Sequence, residues 1–80
     1  MNIELEKEFP VSPEDRIIEE CAELIQAVQK ARRFGWTSSN PNTRGVSNFL
    51  QVIIEINDVR ESLTRLENHM TAIEMEYRYI

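Results

Sequence analysis

Glu19-Glu20-Cys21-Ala22-Glu23 places three carboxylates within five residues, and Glu55-Ile56-Asn57-Asp58 adds two more further along the chain. Clustered carboxylates can hold a hard divalent cation. Positions i and i+3 of a helix lie roughly 60° apart and share one side. Glu20 with Glu23, and Glu55 with Asp58, stand in that relation. Brought together, four such acids repel, and some take up protons unless a cation intervenes. An all-oxygen donor set selects Mg2+ or Mn2+, with water completing the octahedron. A di-iron carboxylate centre would want Glu-x-x-His, and the single histidine, His69, does not stand three residues after a glutamate. Acids at this spacing also occur on ordinary solvated faces, so spacing alone admits both readings. Repetition of the pair on two segments, each beside an apolar stripe, raises the metal reading.

The elements that must carry these acids read as helices. Ser12-Pro13-Glu14-Asp15 is a helix start: a capping serine, a proline suited to the first turn, and acids that complement the positive dipole end. Ile17, Cys21, Leu24, Val28 and Ala31 then follow at steps of four and three, one apolar stripe. Cys21 lies in that stripe and reads as a small core residue. Gly35 is a natural stop after basic Lys30, Arg32 and Arg33. The first helix is expected at 13–34.

Residues 35–45 read as a loop by their Ser, Asn, Pro, Thr and Gly content. Phe49, Val52, Ile53, Ile56, Val59, Leu63 and Leu66 form the stripe of a second helix, expected at 46–68. Asn68-His69 could end it, leaving a short third helix at 70–79; the pattern does not decide whether that break exists. Residues 1–11 read as an N-terminal arm, because Pro10 and Pro13 stop a helix from running through. The expectation is one all-α domain: two long antiparallel helices plus a short C-terminal one.

Chain length adds a requirement. A domain of 80 residues buries only about 60% of the surface its unfolded chain exposes. With one cysteine it can form neither an internal disulfide nor a cysteine-based zinc site. Ile18, Ala22 and Ile25, with Leu50 and Ile54, form second apolar strips that two helices cannot both cover. A homodimer or homotetramer completing a helical bundle is therefore expected. The net charge of −5 argues against a nucleic acid polymer as partner. No apolar run approaches the roughly 20 residues of a membrane span. Residues 1–8 are charged and lack a signal-peptide core, so the reading is cytoplasmic, with a reduced cysteine.

The pattern EExxE (Glu19, Glu20, Glu23) followed by ExxD (Glu55, Asp58) resembles the MazG-like all-α nucleoside triphosphate pyrophosphohydrolases. The stretch from Ile17 to Ala27, running into Arg33-Phe34-Gly35, is especially similar to the short phage-type members. The chain departs from the usual pattern in having Asn57 before Asp58 and a longer gap between Glu23 and Glu55. The resemblance implies hydrolysis between the α- and β-phosphates of a nucleoside triphosphate, giving the monophosphate and pyrophosphate. It implies Glu20, Glu23, Glu55 and Asp58 as Mg2+ ligands and Glu19 as an orienting group for the attacking water. The chemistry agrees, since a bound cation neutralises phosphate charge and templates in-line attack. No GK[ST] phosphate loop is present.

Lys30, Arg33 and Arg44 are candidates for the triphosphate tail, although Lys30 and Arg33 equally complement a helix dipole and Arg44 equally suits a solvated loop. Trp36 is a candidate to stack on a base, or else a packing plug. The competing reading of the whole chain is an acidic helical-bundle interaction protein that binds a partner or nucleotide without turnover.

Overall fold

The computed structural model describes residues 11–39 and 45–78. Two helices account for most of them: α1, Pro13–Phe34, and α2, Asn48–Arg78. The all-α expectation holds, and α1 has the bounds its sequence predicts. Ser12 is extended, and its Oγ accepts the Asp15 N–H at 3.1 Å. At the other end the Gly35 N–H donates to the Ala31 carbonyl at 2.9 Å. Gly35 has φ 99°, which a side chain would strain, and an added Cβ would meet Ser38 Oγ at 3.3 Å.

The helices are antiparallel, tied at both ends. Near the connection, Asn48 Nδ2 donates to the Gly35 carbonyl at 2.9 Å, and the Asn48 and Phe49 N–H groups donate to the carbonyls of Ser38 and Trp36. Ser39 and Ser47 form an isolated antiparallel bridge. Ser47 also caps α2, its Oγ accepting the Leu50 N–H at 3.1 Å. At the far end His69 Nε2 lies 2.8 Å from Glu14 Oε1.

The sequence leaves a break at 68–70 open; the structure has none. One helix of 31 residues runs through Asn68 and His69, so no separate third helix exists among the described residues. Neither residue breaks a helix as proline would, and Thr71 Oγ1 donates back to the Glu67 carbonyl at 3.0 Å across the suspected break.

The helices meet on one flank of the faces that apolar periodicity marks: of the stripe residues, Ala31 and Val52 are buried, and Leu24, Val28 and Ile56 pack against them. Ala27, Ala31 and Val52 are the buried apolar residues, accompanied by Glu20, Glu55 and Ser62. At about 100° per residue, the most buried positions of each helix centre roughly 60–70° toward the acids from the middle of its apolar stripe. Cys21, expected in the core, is exposed. Small side chains at the crossing let the backbones approach. Many large side chains are nonetheless left outside: Ile18 is 67% exposed, Ile25 57% and Phe49 56%, with Leu50, Ile53, Ile54 and Leu63 also exposed. Neither helix is long and apolar enough to cross a membrane.

Candidate metal centre

The roll of the two helices puts carboxylates where a core residue would normally stand. Glu20 on α1 and Glu55 on α2 are each only 8% exposed, and Glu23 sits at the solvent side of the same seam. One carboxylate oxygen from each of the three lies within 4.8 Å of the others. Sequence spacing expects this convergence of two helices, and for these three acids the structure has it.

Each buried acid is held by one oxygen only. Gln51 Nε2 donates to Glu55 Oε1 at 2.8 Å, and Arg16 Nη1 approaches Glu20 Oε1 at 3.4 Å. The Oε2 atoms of both glutamates are buried without a hydrogen-bond partner. A buried ionised carboxylate left this way costs several kcal/mol. Arg16 offsets little of it, because its contact is long and its side chain is 41% exposed. The carboxyl of Glu23 is pushed above the ordinary glutamate value by desolvation and then by the charges of Glu20 and Glu55.

This environment suits a small divalent cation. The donors are all oxygen, the orphaned atoms are acceptors, and the local charge is negative. Glu20, Glu23 and Glu55 would hold the ion.

Asp58, the fourth expected ligand, is not in the trio. It lies one turn beyond Glu55 and lines an adjoining groove of about 350 Å³ with Arg16, Glu20, Ser62 and Arg65. Glu20 therefore belongs both to the trio and to the groove that Asp58 lines. Glu19 is exposed and roughly 100° round α1 from Glu20; it joins neither group.

On the other side of the trio, Glu23, Gln51 and Glu55 share a groove of about 210 Å³ with Gln26, Lys30 and Asn48. Gln26 and Lys30 also form the wall of a wider hollow of about 530 Å³ that contains Arg33 and Phe34. The Arg33 guanidinium lies 5.9 Å from the centre of the Phe34 ring. Two of the expected cationic residues thus sit along one surface leading away from the acids. Trp36 is in the turn after α1, 43% exposed, and lines neither groove. Arg44 lies outside the described residues.

Sequence reasoning missed Gln51 and Arg16. Each stands four positions before a buried acid, a helical neighbour spacing that could have drawn attention to both. Compared with protein-family models, curated proteins and solved structures, the chain matches none.

Proposed function

We propose that this chain is a Mg2+-dependent nucleoside triphosphate pyrophosphohydrolase, with Mn2+ as an alternative ion, and that it works as a homodimer or homotetramer. The observation that carries the metal half of this reading is the pair Glu20 and Glu55, both nine-tenths buried, each with an unpartnered Oε2, converging with Glu23. The nucleotide half rests on the resemblance of EExxE and ExxD to the MazG-like enzymes, and on Lys30 and Arg33 beside the acids.

A cation held here would neutralise phosphate charge and act as a Lewis acid on the phosphoryl oxygens. The chain's own residues have separate tasks. Glu20, Glu23 and Glu55 supply the negative oxygens that retain the ion. Asp58, one turn along α2 from Glu55, would add negative charge at the rim of the site. Lys30 and Arg33 offer cationic groups to the remaining phosphates. Glu19 is given no task within one chain, since it faces away from the seam. The exposed faces of Ile18, Ile25, Phe49 and Leu50 are covered by another copy in the assembly. A mixture of protein, Mg2+ and a panel of ribo- and deoxyribonucleoside triphosphates should release pyrophosphate, and Glu55→Gln should abolish it. No release with any triphosphate would overturn the reading.

The same exposed apolar faces favour one second reading, an interaction protein whose partner covers them without turnover. Mg2+ binding without pyrophosphate release, together with a stable heteromeric complex, would be its signature.

A further inference from the structure

Each buried acid of the seam is approached from the residue four positions earlier on its own helix: Arg16 for Glu20, Gln51 for Glu55. The two devices differ in charge and in quality. Arg16 is cationic and long at 3.4 Å, whereas Gln51 is neutral and tight at 2.8 Å. Gln51 is half-buried and lines the groove that opens onto the trio.

We propose that Gln51 is a positioning residue for the metal, fixing the Glu55 carboxylate through Oε1 so that Oε2 is left facing the ion. The proposal rests on the metal reading above and deepens it. A carboxylate with two free oxygens rotates about its last torsion; one held at Oε1 presents the other in a single orientation, which lowers the ordering cost of coordination. A neutral amide is the right group for this task. It donates one hydrogen bond without cancelling the charge that attracts the cation. A lysine at 51 would satisfy the same carboxylate and take the cation's place.

Gln51 is thereby distinguished from a residue that only stabilises the fold, because two substitutions there should move metal-free stability in opposite directions while both weaken Mn2+ binding. Mn2+ titrated into the full chain by calorimetry reports affinity, and thermal melting without metal reports stability. Gln51→Met, similar in length but unable to donate, should weaken Mn2+ binding by about tenfold or more and lower the metal-free melting temperature, because Glu55 Oε1 loses its donor. Gln51→Lys should remove Mn2+ binding and raise the metal-free melting temperature. Parent-like Mn2+ affinity in Gln51→Met would overturn the positioning role and leave the metal site intact. Absence of Mn2+ binding in the parent would overturn the site and this role together.

Discussion

His69 Nε2 lies 2.8 Å from Glu14 Oε1, joining the first turn of α1 to a point two-thirds of the way along α2, 55 positions away in sequence. Among the described residues it is the one contact between a basic and an acidic side chain that crosses between the helices; the others are i,i+4 pairs on a single helix. It marks the far end of the antiparallel pairing.

The position of this pair limits its energetic weight. Glu14 is 60% exposed at its side chain, and exposed pairs contribute roughly 0–1 kcal/mol. His69→Ala should therefore lower stability by no more than about 1 kcal/mol, as read by urea unfolding. A larger loss would show that the tie organises the helix pair and does not merely mark its register.

Glu55 should behave in the opposite sense. Without metal, its buried and half-satisfied carboxylate opposes folding. Glu55→Leu should raise metal-free stability by about 1–3 kcal/mol, the cost of a buried polar group left without its hydrogen bond. The same substitution should abolish the rise in melting temperature that millimolar Mg2+ gives the parent by binding the folded state. A parent whose melting temperature ignores Mg2+ would show that the acids do not form an ion site.

Glu23 sets the pH dependence. Its carboxyl titrates above the ordinary value of 4.5, because of desolvation and then the neighbouring charges of Glu20 and Glu55. The folded chain thus holds this proton to higher pH than the unfolded chain does. The associated stability is full below the ordinary glutamate value and is lost as pH rises through the raised one. Metal-free protein should melt at progressively lower temperature across that window, and Glu23→Gln should flatten the decline. An unchanged slope in Glu23→Gln would place the titrating group elsewhere.

Ile25 tests the assembly. It is 57% exposed in the single chain, where Ile25→Glu should cost almost nothing. If a second copy covers it, the substitution buries an unpaired charge and should shift light scattering toward monomer while lowering the melting temperature by several degrees. A parent already monomeric by light scattering would refute the oligomer.

How far the sequence reveals all this depends on how local each signal is. The start and end of α1 were legible because Ser12, Pro13 and Gly35 act within a turn of themselves. Continuity at Asn68 and His69 was not legible, because neither residue forbids a helix and the deciding hydrogen bonds lie in the backbone of α2. Glu20, Glu23 and Glu55 were legible from i,i+3 spacing beside apolar stripes. The roll of the helices was hidden for a physical reason: periodicity marks every apolar surface without saying which neighbour covers it. Cys21 was placed in the core on that account, and it faces outward. Asp58 was grouped with Glu55 by spacing, yet one helical turn was enough to carry it into the next groove.

The ties among Gly35, Ser38, Ser47 and Asn48 close the connection at its base. The relation between α1 and α2 is therefore fixed by residues on either side of 40–44, and the acids on the seam are fixed with it. Peptide inserted between Ser39 and Gly45 should leave the ion trio undisturbed, which makes that span the natural port for a reporter, a tag or a new chain terminus.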